Sequence, residues 1–236
     1  MTSNLSGKVF SITGGASGIG LATAKLLASR SAAAVCIGDF NTANFTSVAA
    51  EIAAINPKCE DFTSQLDVSS SASVKAWVAS IIEKFGRLDG CANVWKGTMS
   101  VNIDGVMFCT REEVRAMVAL PKVPRTIMNV ASLASLLHTA DAYVYGASKH
   151  ACASFSSGVA KDVIGFGIRV NTVSPGATMT PMMPKFFPEG TSEEYIESMG
   201  MNFLEPIDIA RAIFYLLSEE SDKITGVNLP VGSGAP

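Results

Sequence analysis

Short apolar segments alternate with longer amphipathic segments along most of the chain. The apolar segments are typical of buried strands and fall at 8–12, 34–37, 62–68, 88–94, 126–131, 167–174 and 225–231. The amphipathic segments predict helices at 21–30, 41–55, 71–85, 101–117, 145–163 and 206–218. This alternation favours an α/β fold in which helices cover a doubly wound, mostly parallel sheet of seven strands.

A glycine-rich segment, Thr13-Gly-Gly-Ala-Ser-Gly18-Ile-Gly20, joins the first predicted strand to the first predicted helix. Glycines at such a junction let the backbone approach a pyrophosphate, whose charge the N–H groups at the helix start then stabilise. A plain tight turn would produce the same local pattern, so this segment alone leaves both interpretations open.

Asp39 follows the second predicted strand, 19 residues beyond the last glycine of that segment. An acidic residue at about this distance is typical of the group that binds the adenosine ribose hydroxyls. Its charge repels a 2′-phosphate and the neighbours Ser17 and Phe40 supply no cation for one, so the sequence favours NAD over NADP. Alternatively, Asp39 could cap the helix that follows it. Asp67 or Ser69 could likewise cap the helix that follows the third strand.

A tyrosine and a lysine four residues apart, Tyr145 and Lys149, lie at the start of the predicted helix over 145–163. This spacing places both side chains on one helix face. An ammonium beside a phenol stabilises the phenolate, which lowers the pKa of the phenol and suits it to proton transfer near neutral pH. Ser132 lies just past the fifth predicted strand, at the end of the sheet where open α/β folds bind ligands.

Length and composition fit one ordinary α/β domain over 1–236. The chain is 48% hydrophobic and 17% charged, which argues against disorder. The five cysteines are scattered without metal-like spacing, so we expect free thiols in a reducing compartment and no metal site. A hydrophobic signal core and an apolar run of about 18 residues are both lacking, so we expect a cytoplasmic enzyme without a membrane span.

Charge is sparse and nearly balanced. The net charge of −3 gives no electrostatic basis for binding nucleic acid or an anionic membrane. One group of charges, Arg111, Glu112, Glu113 and Arg115, lies on the predicted helix over 101–117. We interpret it as a solvated, ion-paired helix face rather than as a site.

Taken together, these motifs resemble the short-chain dehydrogenase/reductase family, in its single-domain form of about 250 residues. The chain carries the family pattern Thr-Gly-x-x-x-Gly-x-Gly at 13–20, Asp39, Asp67-Val68, Asn102, Ser132, Tyr145-x-x-x-Lys149 and Pro175-Gly176. The similarity runs from about Lys8 to Val231, and chance does not produce so many motifs in this order. The resemblance implies a Rossmann-type, three-layer α/β/α sandwich and a nicotinamide dinucleotide as cofactor.

The resemblance also implies a role for each catalytic position. Tyr145 would exchange a proton with the substrate oxygen, Lys149 would lower the pKa of Tyr145 and bind the nicotinamide ribose, and Ser132 would hold the carbonyl. Asn102 would support a water-linked proton path. The implied cofactor contacts are Gly14, Ser17, Gly18, Ile19, Gly20, Asp39, Phe40, Asp67, Val68, Asn93, Tyr145, Lys149, Pro175, Gly176, Thr178 and Thr180.

Two stretches depart from the family pattern, and the loop after Met182-Met183, which looks a few residues short, is the smaller departure. Asn93-Val94 begins the Asn-Asn-Ala-Gly motif of strand four, but Trp95, which the family places beyond a further loop, follows at once. By family expectation, roughly 15–20 residues are therefore missing between Val94 and Trp95. We hypothesise that the native protein carries these residues and that the printed sequence lacks them. A true deletion, which would remove a wall of the cofactor crevice, is the alternative.

Apolar residues dominate the two stretches expected to line the substrate side, 132–145 and the substrate-loop region 178–204. The candidate substrate contacts are Leu133, His138, Tyr143, Met182 and Phe186. Such a lining suits a bulky, apolar alcohol or ketone of terpenoid, steroid-like or polyketide type. Core or lid packing would explain about half of these apolar residues equally well, and His138 would also fit a surface imidazole.

The sequence therefore predicts an NAD(H)-dependent oxidoreductase of secondary metabolism that interconverts a secondary alcohol and a ketone. An isomerase or cyclase that keeps the fold, and a dinucleotide-sensing protein without turnover, are the alternatives. The complete set of Asn102, Ser132, Tyr145 and Lys149 favours the redox enzyme. By resemblance, the helices over 101–117 and 145–163 would pair subunits into a homodimer or homotetramer.

Overall fold

The computed structural model describes residues 5–94, 99–137, 142–181 and 203–232. Seven strands within these ranges form one sheet. They are β1 (Val9–Thr13), β2 (Ala34–Asp39), β3 (Glu60–Gln65), β4 (Gly90–Asn93), β5 (Arg125–Val130), β6 (Ile168–Pro175) and β7 (Asn228–Val231). The assignment of 1–236 to a single domain stays a prediction.

Helices flank the strands throughout the described part of the chain. They are α1 (Gly18–Ser29), α2 (Phe45–Ile55), α3 (Ser71–Phe85), α4 (Val106–Ala119), α5 (Tyr143–Val163) and α6 (Pro206–Leu217). A π-helical turn, Ser100–Gly105, leads directly into α4. Among these described helices, none is both long and apolar enough to cross a membrane.

The strands are hydrogen-bonded in the order β3-β2-β1-β4-β5-β6-β7, and every neighbouring pair is parallel. The direction of strand order reverses between β1 and β4. In open α/β sheets, the carboxyl ends of the strands on either side of such a reversal form a ligand crevice. The predicted doubly wound parallel sheet is confirmed, and its topology places a crevice at the ends of β1 and β4.

Two separate apolar clusters hold the helices against the two faces of the sheet. Consecutive residues of β2 illustrate this, since Ile37 belongs to the cluster that contains Leu27 and Ile213, whereas Cys36 belongs to the cluster that contains Met117. Successive strand residues point to opposite faces, so fully buried strands supply both clusters. The α1, α2 and α6 side and the α3, α4 and α5 side thus form the outer layers of the predicted Rossmann-type α/β/α sandwich.

The start of α3 corrects one expectation. Ser70 is the N-cap residue, and its hydroxyl accepts a hydrogen bond from the Ser73 N–H at 3.3 Å. The predicted caps, Asp67 and Ser69, lie upstream of Ser70. Strand β3 ends at Gln65 rather than at the predicted 68. The capping interpretation was therefore wrong, and Asp67 stands in the loop at the strand end.

The predicted helix over 101–117 is divided in the structure, with a π-helical turn before α4 begins at Val106. Gly105 closes this turn against Val68, and a Cβ at that position would lie 3.2 Å from Val68 Cγ2. Apolar spacing does not distinguish i→i+5 bonding from i→i+4 bonding, so the pattern could not reveal the division. Single π-helical turns are frequent at functional sites.

Candidate active site

The glycine turn brings the backbone of β1 and α1 into very close contact. Gly14 and Gly18 have φ angles of +60° and +51°, which side chains disfavour. A Cβ on Gly20 would lie 2.1 Å from the Gly14 carbonyl oxygen, so only glycine fits there. Ser17, at the N-cap, makes no side-chain bond to the first turn of α1, whose N–H groups therefore remain open to an anion. Ile19 packs against the core beneath the turn.

The carboxylate of Asp39 fastens the end of β2 to this turn. Its Oδ2 accepts a hydrogen bond from the Ala16 N–H and its Oδ1 accepts one from the Asn41 N–H, both at 3.0 Å. Asn44, not Asp39, precedes the first turn of α2, so the alternative capping role for Asp39 was wrong. Phe40, beside it, is 70% exposed. Asp39 therefore presents its negative charge at the rim of the crevice.

The end of β4 is joined to the start of the glycine turn through one side chain. Thr13 Oγ1 accepts a hydrogen bond from the Val94 N–H at 3.0 Å and donates to the Val94 carbonyl at 3.2 Å. These two residues are 81 positions apart in sequence. The two strands that border the reversal of strand order are thereby locked together at their carboxyl ends.

Asn93, predicted as a cofactor contact, directs its side chain away from the crevice. Its Nδ2 donates to Glu113 Oε2 at 2.8 Å and to Asn129 Oδ1 at 3.0 Å, and the residue is fully buried. The side chain thus lies between the sheet and α4. Any contact of Asn93 with a cofactor would come from its backbone.

Ser132, Tyr145 and Lys149 meet at the carboxyl end of β5. Ser132 caps a short 3₁₀ turn by accepting a hydrogen bond from the Ala134 N–H at 3.2 Å, and its hydroxyl also bonds to Tyr145. Lys149, one turn further along α5, is 2% exposed and donates to the Val130 carbonyl at 3.1 Å. Its Nζ lies 5.8 Å from the centroid of the Tyr145 ring. The predicted group is therefore assembled around one point.

Burial has the largest effect on the pKa values of Tyr145 and Lys149. It raises the pKa of the Tyr145 phenol above its usual range, while the hydrogen bond with Ser132 lowers that pKa by a smaller amount. Burial also lowers the pKa of the Lys149 ammonium to about 8. The net shift is therefore opposite in direction to the predicted one, because desolvation outweighs the bond from Ser132. A lowering of the Tyr145 pKa by Lys149 stays a prediction. Ser132 is the neighbour that favours the phenolate.

Asn102 reaches Tyr145 through an unpredicted residue, Ser148. Asn102 Nδ2 donates to Ser148 Oγ at 2.9 Å, and Ser148 Oγ donates to the Tyr145 carbonyl at 2.7 Å. All of Asn102 is buried, and its Oδ1 has no hydrogen-bond partner among the described residues. The π-helical turn is thus fixed to the first turn of α5.

The remaining predicted cofactor positions surround the same end of the sheet. Asp67 Oδ1 accepts bonds from the N–H and the hydroxyl of Ser69, at 2.9 and 2.6 Å. Pro175 ends β6, and Thr178 Oγ1 donates to the Gly176 carbonyl at 2.9 Å. The side chain of Thr180 borders the glycine turn, since a Cβ on Gly18 would lie 3.3 Å from Thr180 Cγ2. Val68 packs against Gly105, beneath the π-helical turn.

The predicted substrate residues are only partly described by the structure. Tyr143, at the start of α5, is 77% exposed, and Leu133 packs near Gly176. His138, Met182 and Phe186 lie outside the described residues. The described apolar side chains that remain exposed near Ser132, Tyr145 and Thr178 are Leu136, Leu137, Tyr143, Val144 and Met179.

Glu113 was assigned to a solvated helix face, and this was wrong. The residue is fully buried against Asn93, and burial raises the pKa of its carboxyl to about 7. Its neighbours Arg111 and Arg115 pair with Glu112 instead. The helical spacing indicated the burial of Glu113, because Glu113 lies four residues after the buried Cys109 and therefore on the same helix face.

The chain matches known sequences over nearly its whole length. It matches the family described as short chain dehydrogenase over residues 8–191. It is 44% identical over 255 residues to the chanoclavine-I dehydrogenase of Penicillium roqueforti (strain FM164), which covers 97% of this chain and 98% of that protein. Since 255 exceeds the 236 residues of this chain, that relative carries residues in the matched region without counterparts here.

Solved structures share the arrangement of the sheet and helices. A levodione reductase is 26% identical, with a TM-score of 0.91 and coverage of 98% of both chains. An NAD⁺-bound xylitol dehydrogenase is 26% identical, with a TM-score of 0.85, and covers 98% of this chain and 99% of its own. The chain thus shares its fold with a reductase and with an NAD⁺-bound dehydrogenase.

Proposed function

This chain belongs to the short-chain dehydrogenase family, and on that basis we propose that it is an NAD-dependent alcohol dehydrogenase acting on chanoclavine-I or a closely similar alcohol. Its activity as an oxidoreductase follows from the family and from the relatives named above; the cofactor and the substrate are the proposed part. The observation that carries the proposal is the meeting of Ser132, Tyr145 and Lys149 at the end of β5.

The residues present fit a bound dinucleotide. The close backbone contact at Gly20 and the positive φ angles of Gly14 and Gly18 produce the tight turn whose backbone can approach a pyrophosphate. The first N–H groups of α1 would hold the pyrophosphate, since the side chain of Ser17 does not cap them. Asp39 would hold the adenosine ribose.

Asp39 supports NAD rather than NADP as the cofactor. Its carboxylate is held in place by two backbone N–H groups at the rim, where a 2′-phosphate would meet its negative charge. The adjoining side chains of Ser17 and Phe40 provide no positive charge to offset that repulsion. The NAD⁺-bound xylitol dehydrogenase of similar fold is consistent with this choice.

The chain's own groups account for the proton chemistry of alcohol oxidation. Nicotinamide, when bound, would supply the hydride acceptor. In its phenolate form, Tyr145 Oη would take the hydroxyl proton of the alcohol, and the Ser132 hydroxyl would donate a hydrogen bond to the same substrate oxygen. Tyr145 and Ser132 are close enough to share a hydrogen bond, so both hydroxyl groups would reach the same substrate oxygen. In the reverse direction, the raised pKa of Tyr145 suits it to donate the proton.

The apolar surface beside Tyr145 supports a bulky substrate with little charge. Leu136, Leu137 and Val144 are exposed there although all are apolar. Exposed apolar patches next to polar reactive groups are typical of sites that bind apolar ligands. This agrees with an alcohol such as chanoclavine-I, on which the related enzymes act.

The proposal is tested by mixing the purified protein with chanoclavine-I and either NAD⁺ or NADP⁺ and following NADH or NADPH fluorescence. We expect reduction of NAD⁺ that requires both the alcohol and Ser132, with Ser132→Ala as the inactive variant. Binding of NADH without turnover of chanoclavine-I or of a panel of apolar alcohols would support the dinucleotide-sensing alternative instead. Conversion of the alcohol with no change in NAD⁺ would support the isomerase.

We also infer that the protein forms a homodimer or homotetramer through α4 and α5. Met107 and Val118 are exposed apolar residues of α4. The small residues of α5 that permit close helix approach are Ala147, Ala151, Ala153, Ser154, Ser157 and Gly158. Light scattering should give at least twice the chain mass of 24.7 kDa, and a monomer at micromolar concentration would contradict the inference.

A further inference from the structure

A layer of buried polar side chains lies between the sheet and helices α4 and α5. Glu113 Oε2 accepts a hydrogen bond from Asn93 Nδ2 at 2.8 Å, and the same amide group donates to Asn129 Oδ1 at 3.0 Å. Asn129 Nδ2 in turn donates to Ser156 Oγ at 2.8 Å. All four residues are buried. The layer therefore runs from α4 through β4 and β5 to α5.

Two acceptors in this layer have no donor among the described residues. They are Oε1 of Glu113 and Oδ1 of Asn93, and both are buried. An ionised carboxylate would bring a further charge to a layer that already lacks donors. A protonated carboxyl brings a donor of its own, so the hydrogen-bond inventory favours the neutral acid.

The described groups that face Glu113 supply no positive charge. The titratable ones are the thiols of Cys91 on β4 and Cys109 on α4, and burial keeps the pKa of both raised, so both are neutral. Helix α3 adds apolar side chains to the cluster around Cys109, and Lys149 of α5 donates to a carbonyl of β5 instead. Burial accordingly raises the pKa of Glu113 to about 7, and the bonds from Asn93 and Cys91 lower it by less.

Asn93 connects Glu113 to the glycine turn. It is the last residue of β4 and the register partner of Thr13, which begins the turn. The next residue, Val94, donates its N–H to Thr13 Oγ1 at 3.0 Å. The position of the Asn93 side chain therefore determines where the end of β4 holds the turn.

The same amide group also connects Glu113 to the reacting end of the site. Asn129, its second partner, is also the register neighbour of Asn93 on β5. Val130 follows directly, and its carbonyl accepts the bond from Lys149 at 3.1 Å. A shift of Asn93 would therefore disturb both the turn and the lysine.

We propose that Glu113 is a positioning residue: as a neutral carboxylic acid it fixes the carboxyl end of β4 for cofactor binding, and on ionisation it releases that strand end. The proposal rests on the proposed NAD-dependent function and adds a pH-sensitive element to it. Ionisation would place an unpaired charge in a dry layer, which is relieved only when water enters or α4 moves away from the sheet. Affinity for NADH then falls as the pH rises through about 7.

The same ionisation makes the folded chain less stable at higher pH. The Glu113 carboxyl ionises at 4.5 when exposed but at about 7 when folded, so its contribution to stability is fully present below pH 4.5. That contribution declines as the pH rises to about 7 and stays lost above it. Glu113→Gln has the same shape, supplies an N–H donor and does not ionise, so its stability relative to the wild type should increase over that range.

The test compares wild type, E113Q and E112Q from about pH 6 to about pH 9. Glu112 lies on the same helix but pairs with Arg111 and Arg115, so E112Q removes an equal charge without touching the layer. NADH affinity is measured by fluorescence titration, and amide hydrogen exchange is measured for the peptide covering 90–94, corrected for the intrinsic pH dependence. Lys149 is present in all three proteins, so its own titration cancels in the comparison.

We expect wild type and E112Q to lose NADH affinity roughly tenfold per pH unit above the Glu113 pKa, because only the neutral fraction binds. Both should lose exchange protection at 90–94 over the same range, whereas E113Q should keep protection and lose only the affinity that the titration of Lys149 removes from all three proteins. Parallel behaviour of wild type and E113Q would overturn the proposal. A wild type that binds no NADH at any pH would refute the proposed function, and the exchange data alone would then decide the role of Glu113. If E113Q does not fold, pH-independent protection of 90–94 in the wild type refutes the role.

Discussion

Two neighbours of Tyr145 have different tasks in moving its proton. Ser132 shares a hydrogen bond with the phenol and lowers its pKa, although burial raises that pKa by more. Lys149 has a pKa of about 8, so it exists in both protonation states near neutral pH. We infer that Ser132 orients the phenol, whereas Lys149 is able to take up the proton that Tyr145 receives from an alcohol.

Tyr145→Phe should reduce turnover by about three orders of magnitude, because positioned acid–base groups contribute roughly 10²–10⁴-fold. NADH affinity should stay nearly unchanged, since Lys149 and the glycine turn remain. Steady-state rates and NADH titrations measure the two effects. Tyr215→Phe is the control, because Tyr215 is a partly exposed residue of α6, on the other side of the sheet. Unchanged turnover in Tyr145→Phe would exclude the proton-transfer role.

Asp39→Asn should weaken the discrimination between NADH and NADPH by roughly tenfold, which corresponds to about 1.4 kcal/mol. The amide keeps an oxygen for the Ala16 N–H but removes the charge that repels a 2′-phosphate. Titration with both reduced cofactors measures the ratio. Asp67→Asn, whose carboxylate bonds to Ser69, should change both affinities alike. A wild type that already binds NADPH more tightly than NADH would contradict this role of Asp39.

Among the secondary-structure elements, α3 and α4 show what the sequence pattern determines and what it does not. Helix α3 spans the predicted 71–85, because Gly86, with φ of +66°, stops it in a conformation that favours glycine. On α4, Val106, Cys109, Glu113 and Met117 share a buried face. The helical spacing thus indicated that Glu113 lies on the buried face. It was interpreted as exposed because its neighbours are charged and because glutamate is rarely buried without a partner.

The glycine turn is the element most sensitive to a single methyl group. In Gly20→Ala the new Cβ would lie 2.1 Å from the Gly14 carbonyl, so α1 must shift away from β1. We expect a loss of about 1–3 kcal/mol in the free energy of unfolding and a loss of NADH affinity of at least tenfold. Gly165→Ala is the matched control, just past α5, where nothing lies within 4 Å of an added Cβ. Equal stability and affinity in the two variants would contradict the close approach.

At the scale of the whole molecule, the order of the sequence motifs predicted the crevice, whereas contacts between residues distant in sequence determine its geometry. Strand order places Ser132 and the glycine turn at one end of the sheet, and the sequence predicts this from the alternation of strands and helices alone. The bond between Thr13 and Val94 joins residues 81 apart, and the direction of the Asn93 side chain depends on α4. Local patterns carry no information on such pairs, so the direction of the Asn93 side chain and the bonds of Ser148 could not be predicted from the sequence.

The junction after Val94 leads to a prediction about the native protein. Val94 is locked to Thr13, so the chain leaves β4 at the position where a cofactor crevice needs a wall. The related chanoclavine-I dehydrogenase matches over 255 residues, which exceeds the 236 of the printed sequence. We therefore expect the protein from its native host to have an intact mass above 24.7 kDa, with peptide mapping placing the additional residues between 94 and 95. A measured mass of 24.7 kDa would establish a true deletion, and NADH affinity would then be weak, because one side of the crevice stays open to water.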